Sequence, residues 1–190
     1  MKAPEASEPF TDPELQTVFQ HCQLDPSPWV YRSALFLAYS GAHISVLSGG
    51  FRQETVHEQG ATRIEYVRSE PLRSDAVRGD HIYWRRPKNE KPIGIPVKRE
   101  LAGWLPGWLD QPRPLSSRRY EQVFDRIGDV AHLHVNPLRF RHTCAVLLYH
   151  VMRMDAQSVC RLLGVSPTTL AIYVMKPKWM VAEELRAKGW

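Results

Sequence analysis

Two stretches decide how this chain is read: Asn136–Leu148, NPLRFRHTCAVLL, and Cys160–Tyr173, CRLLGVSPTTLAIY. The first lies in a strongly apolar segment, Leu138 to Met152, whose apolar content predicts a mostly buried helix. The second holds a helix from Ala156 to Leu163, capped by Asp155 and stopped by Gly164 as a left-handed residue would stop it. Ser166 then caps a short helix from Pro167 to Tyr173. Helix, glycine turn and helix have the outline of a helix-turn-helix, and Val165 suits the buried turn position of that motif. Its second helix offers few side chains for reading bases, because Pro167-Thr168-Thr169 is followed by Leu170, Ala171 and Ile172.

Working outward, helices surround a short region of different period. Thr11-Asp12-Pro13-Glu14 supplies a cap, an early proline and early acids, which open a helix through about Gln23. Trp29 to Gly41 is a second, mostly buried helix, ended by the Gly49-Gly50 break beyond it. Thr62–Arg68, Asp80–Arg85 and Ile93–Val97 alternate as strands, the last two joined by the turn-rich segment Pro87 to Pro92. Helices resume at Glu100–Leu109, with Pro106 demoting its end, and at Ser116-Ser117, which open a helix carrying Tyr120, Val123, Phe124, Ile127 and Val130. A basic amphipathic tail runs to Trp190. The expected class is α+β: a mostly helical domain with a small three-stranded antiparallel sheet inserted. Residues 1–10 read as a linker or disordered lead-in and residues 11–190 as a single domain.

Composition narrows the function classes. The chain has 190 residues, with 25 Lys plus Arg against 20 Asp plus Glu and a formal net charge of +5. With 43% hydrophobic and 24% charged residues it has the balance of a folded domain rather than a disordered one. No apolar run approaches the roughly 20 residues that span a bilayer, and Met1 to Pro9 lacks the apolar region of a secretory signal. Cys22, Cys144 and Cys160 are scattered and odd in number, which argues against a disulfide framework or a zinc site and fits a reducing cytosol. The modest basic excess permits a nucleic-acid partner.

The two opening stretches resemble the catalytic domain of tyrosine recombinases, the phage-integrase-like enzymes. Arg141-His142-Thr143 matches that family's R-H-T box, and Leu162-Leu163-Gly164 its second box. Thr168-Thr169 and Tyr173 are similar to the closing threonines and nucleophilic tyrosine. Upstream, Tyr39-Ser40-Gly41-Ala42-His43-Ile44-Ser45 resembles the family's aromatic-T-G-L-R-I-S box. Lys88, eight residues before Pro96, stands where the family carries the lysine of a hairpin. The four matches fall in the family's order between Tyr39 and Tyr173, so the resemblance covers most of the chain.

That resemblance implies double-stranded DNA as partner, no cofactor and no metal. It implies a tyrosine hydroxyl attacking a phosphodiester in line to leave a 3′-phosphotyrosine, with arginines neutralising the phosphorane-like charge and a lysine protonating the leaving 5′-oxygen. Mapped onto this sequence, Tyr173, Arg141 and Lys88 are the catalytic candidates. Arg141, Lys88, Lys91, His43, Arg118 and Arg119 are the DNA-binding candidates. The family's separate N-terminal DNA clamp has no counterpart in the residues before the first helix.

Three of six expected site positions depart from the pattern. His43 replaces an arginine, Leu138 a histidine, and Val165 a histidine or tryptophan. Val46 also stands where an acid follows the first box. Losing a preorganised donor to oxyanion charge costs about 10²–10³ in rate, and losing a general acid or base costs roughly 10²–10⁴. The expectation is a degenerate site that binds DNA and cleaves it little or not at all, in a recombination or integration role. An active recombinase working through Tyr173 and a helix-turn-helix regulator are the alternatives.

Plainer roles stand beside these. Arg141 reads as a helix-end salt bridge or a phosphate ligand, with Arg139 as the alternative outward arginine. Lys88 and Lys91 suit any polar turn, and Cys144 reads as a small core residue. The tail from Lys178 to Trp190, with Trp179, Met180 and Leu185, predicts a homo-oligomer contact. The expected location is the cytoplasm, associated with the nucleoid.

Overall fold

The computed structural model describes residues 8–58, 61–86 and 89–188; side chains are described outside 51–69 and 84–93. The chain begins with α1 (Asp12–Leu24), whose Thr11 and Glu14 form a reciprocal capping box: the Glu14 amide donates to Thr11 Oγ1 and the Thr11 amide to Glu14 Oε2. Helix α2 (Trp29–Ser40) ends at Gly41, which adopts φ 60°. The short α3 (Ser45–Ser48) leads into β1 (Gly50–Glu58) and β2 (Ala61–Ser69). After a 3₁₀ turn at Ser74–Ala76 come β3 (Val77–Arg78), β4 (His81–Arg86) and β5 (Asn89–Pro96). Helices α4 (Arg99–Ala102), α5 (Leu105–Leu109), α6 (Ser117–Ala131) and α7 (Pro137–Val146) follow. A π-helical turn at Leu147–Val151 separates α7 from α8 (Ala156–Leu163), α9 (Pro167–Tyr173) and α10 (Lys178–Ala187). No helix of the described residues is long and apolar enough to cross a membrane.

The expected class is found: a mostly helical chain with a small three-stranded antiparallel sheet, in the order β3-β4-β5. The strand content is larger than expected. Thr62–Arg68 does not join that sheet but pairs with residues 50–58 in a separate two-stranded antiparallel hairpin, from Gly50↔Ser69 to Glu58↔Ala61. The segment expected to be turn as far as Pro92 is already strand from Asn89. Pro92 is tolerated because β5 is an edge strand, where a missing amide breaks no inner ladder. Pro106 likewise does not end a helix; it sits in the first turn of α5, where its missing N–H costs nothing.

Apolar side chains collect in two clusters. The larger holds Val18, Phe36, Trp108, Tyr120, Phe124 and Phe140, drawn from α1, α2, α5, α6 and the start of α7. Ile82 and Ile95, direct partners across β4 and β5, fasten the sheet to it. The smaller holds Cys144, Ala145, Val159, Leu163 and Leu170, from the end of α7, α8 and α9. Helix α7 therefore belongs to both, and Arg141 lies at the seam. Phe10 closes the first cluster from the N-terminal side: its ring is 5.2 Å from that of Phe140, and its amide donates to Thr143 Oγ1 at 2.9 Å.

The base of the β1–β2 hairpin is held by a clasp. The Leu72 amide donates to the Val46 carbonyl at 2.8 Å. Arg113 donates to the carbonyls of Leu47, Leu72 and Leu109, so one half-buried guanidinium joins both hairpin ends to α5. Three carbonyl partners compensate most of the desolvation of that cation.

Candidate phosphate-binding site at the helix seam

Asn136 caps α7 by accepting the Arg139 amide at 2.8 Å, and Pro137 fixes the first turn. The register then places Arg141 against the ends of two other helices. Its guanidinium donates to the Gly41 carbonyl at 2.6 Å and to the Leu163 carbonyl. These are the C-cap carbonyl that follows α2 and the last carbonyl of α8, at the negative ends of two helices. Only 8% of Arg141 is exposed. Burial lowers its pKa, opposed by Tyr173 and Cys144, but a guanidinium keeps its charge throughout the physiological range.

The approach of α2 to α8 requires glycine at position 41. A Cβ there would overlap Leu163 Cδ2 and sit 3.0 Å from Cys144 Sγ, and the φ of 60° is itself left-handed. This packing is what brings the Gly41 carbonyl within reach of Arg141.

Tyr173, the last residue of α9, is half-buried beside the same cation. Arg141 Cζ lies 5.9 Å from the centre of its ring, and the His142 ring packs 4.2 Å away, centre to centre. The end of α9 is held by the π-helical turn: His150 Nε2 bonds the Val174 carbonyl at 2.6 Å, so that nitrogen carries the proton. One extra residue per turn is the kind of irregularity that re-aims side chains near functional sites.

His43 completes the cluster. Its Nδ1 accepts the Ser45 amide at 3.3 Å and lies 2.9 Å from Ser45 Oγ. The side chain reaches solvent, yet the protein packed around it lowers its pKa, and the positive charge of Arg141 lowers it further. The imidazole is therefore neutral at pH 7. An arginine at this position would add a second permanent charge, and His43 does not.

The other candidates fall as follows. Arg118 and Arg119 are exposed in the first turn of α6, linked to the hairpin base by Ser48 Oγ and Ser117 Oγ at 2.9 Å, and no described contact joins them to Arg141. Lys88 lies outside the described residues; Lys91 is in β5, and its side chain is likewise not described. Arg139 is not outward-facing: it is 7% exposed and bonds both Glu14 carboxylate oxygens at 3.0 Å. Leu138 is 40% exposed, and Val165 packs against the smaller apolar cluster, so neither position carries a proton-transfer group. Cys144 is core, as expected; burial pushes its thiol to about 12. The helix-turn-helix outline is present, with Gly164 at φ 71°, and α9 exposes Pro167, Thr168, Ala171 and Ile172.

Sequence reasoning missed Lys98, between β5 and α4, whose ammonium lies 4.1 Å from the centre of the Tyr39 ring. Only tertiary packing places it near the first box. Among the described residues no His, Cys, Asp and Glu group has the arrangement of a metal site.

Two cations of this region, Arg141 and Lys98, keep their charge. Among the described residues, no carboxylate is paired with Arg141 or Lys98.

The fold is shared with known structures. The chain superposes on XerA recombinase with a TM-score of 0.70 at 17% identity, covering 99% of this chain and 67% of that one. It superposes on the catalytic domain of bacteriophage HP1 integrase with a TM-score of 0.62 at 15% identity, covering 94% of each. A third match is XerH site-specific recombinase in a post-cleavage complex with its difH substrate, with a TM-score of 0.61 at 18% identity. The chain covers 95% of itself and 53% of XerH, about half of that protein. No family model matches the sequence, and no curated protein does. The chain has the fold of a tyrosine-recombinase catalytic domain.

Proposed function

We propose that this chain is a DNA-binding domain of the tyrosine-recombinase family that holds a duplex phosphodiester at the Arg141–Tyr173 seam and cleaves it little or not at all. It acts in DNA recombination or integration. The observation that carries this reading is the pairing of Arg141 with helix-end carbonyls and Tyr173 instead of a carboxylate. Such a site keeps its charge for an anion. Cleavage needs more. The phosphorane-like charge calls for a second strong donor, where His43 is neutral. Proton transfer calls for acid–base groups, where Leu138 and Val165 have none.

Lys88, Lys91, Arg118 and Arg119 extend the proposed DNA contacts beyond the seam. Residues 11–190 form one domain after a lead-in, located with the DNA in the cytoplasm. The tail after Tyr173 exposes Met175, Val181 and Leu185, which supports docking on a second copy. Truncation at Pro177 then lowers the assembly state.

Binding is tested by titrating a labelled mixed-sequence duplex at salt concentrations from about 50 to 200 mM. Association whose logarithm falls linearly with the logarithm of salt supports the reading. Absence of association with duplex DNA at low salt overturns it.

A further inference from the structure

Arg141 is the cation that the sequence marks, but two of its donor groups are spent on carbonyls and little of it reaches solvent. Lys98 is its opposite. Its backbone is fixed: the Lys98 carbonyl accepts the amides of Leu101 at 2.8 Å and Ala102 at 3.1 Å, and the preceding Val97 amide donates to the Asp80 carbonyl at 2.7 Å. The side chain is exposed and lies over Tyr39, in the last turn of α2, two residues before the carbonyl that holds Arg141.

A chain of contacts leads from Lys98, over the Tyr39 ring, to Cys144 on α7, three residues after Arg141. The Cys144 thiol, 3.9 Å from the Tyr39 carbonyl, feels the positive charge of both. Glu100 is close enough to raise the pKa of Tyr39, after burial, but makes no ion pair with Lys98. An aromatic face holds an ammonium in position without neutralising it, whereas a carboxylate would cancel its charge.

We propose that Lys98 is the accessible phosphate-contacting cation of this site, using an ammonium held over Tyr39 to bind a backbone phosphodiester of duplex DNA beside Arg141 and Tyr173. This rests on the DNA-binding reading above. A compact ammonium suits the role, since it contacts phosphate as a point charge from many approach angles. Arg141 then shapes the local potential and the packing, and Lys98 makes the contact.

The test compares the salt dependence of duplex binding for wild type, Lys98→Gln, Lys98→Arg and Arg32→Gln, using a labelled mixed-sequence duplex. Arg32 is a matched control: it also lies over an aromatic ring, Trp104 at 5.6 Å, but at the opposite end of α2. Lys98→Gln is expected to reduce the slope of log affinity against log salt by about 0.9, one phosphate contact. Lys98→Arg restores the slope, and Arg32→Gln leaves it unchanged. Thermal unfolding of each variant confirms that a folded protein is measured, and Lys98→Met provides a second neutral variant. Wild-type binding with an unchanged slope in both neutral variants overturns the role of Lys98 and leaves the DNA reading standing. No duplex binding by wild type overturns the DNA reading itself.

Discussion

Two arginines separated by one residue on α7 face different surroundings. Arg139 lies on the side of the larger core, among acids and carbonyls. It bonds the Glu14 carboxylate, the Glu8 carbonyl at 2.8 Å and the His134 carbonyl at 2.8 Å, and stacks 4.0 Å from the Phe10 ring. Arg141 lies at the seam of the two cores, held by carbonyls and beside a tyrosine. Both are buried. Carbonyls satisfy a guanidinium's hydrogen bonds but leave its full charge in place; a carboxylate satisfies the bonds and cancels the charge. Burial and hydrogen-bond count therefore do not separate a neutralised arginine from one that keeps its charge, and the formal charge of the partners does.

The largest effect is expected where charges cancel. Arg139→Ala leaves Glu14 without its cation and frees the N-terminal segment, which should lower the unfolding free energy by about 3 kcal/mol in urea titrations. Below the unfolding transition this variant should retain wild-type affinity for duplex DNA. Loss of DNA affinity in folded Arg139→Ala would break the comparison.

Gly41→Ala attacks the other side of the contrast through its packing. The left-handed φ and the overlap with Leu163 and Cys144 together should cost about 2–3 kcal/mol, read as a lowered Tm. Arg141→Gln removes a donor from two helix-end carbonyls, a loss of about 2 kcal/mol. Unlike Arg139→Ala, it should also weaken DNA binding in the folded state.

The smallest expected effect is in the acid limb. Burial alone would raise the pKa of Glu14, but the Thr11 amide and Arg139 outweigh it and hold it below its ordinary value. A depressed carboxylate stabilises the fold above the unfolded-state value of about 4.3 and loses that contribution as pH falls through the folded-state value. Glu14→Gln should flatten stability against pH in that window. Arg141→Gln should leave it unchanged, because no carboxylate is paired with Arg141 among the described residues. An altered acid limb in Arg141→Gln would reveal a hidden acidic partner.

The helices of the seam were legible because their ends carry local chemistry. Asp155, Gly164 and Ser166 act at the positions their residue types predict. The hairpin was half legible. Thr62–Arg68 alternates as a strand should, but its partner FRQETVHE carries polar and charged residues at most positions, so its pairing was not visible along the chain. The π-helical turn has no residue signature, so Leu138 to Met152 read as one continuous helix. Tyr173, Arg141 and His43 were found through the order of their motifs, and the structure brings all three together. Lys98 was not found, because its place beside Tyr39 depends on where β5 ends relative to α2. The burial of Arg139 depended in the same way on Glu14, which is 125 residues distant in sequence.

The central claim is that this fold retains phosphate binding without strand transfer. Its most direct test mixes the protein with nicked duplexes that trap a covalent intermediate and resolves the products under native and denaturing conditions, for wild type and Tyr173→Phe. The account predicts a native complex of equal extent for both proteins and no adduct surviving denaturation. A denaturant-resistant adduct in wild type that disappears in Tyr173→Phe would contradict it, and would make the chain a working strand transferase.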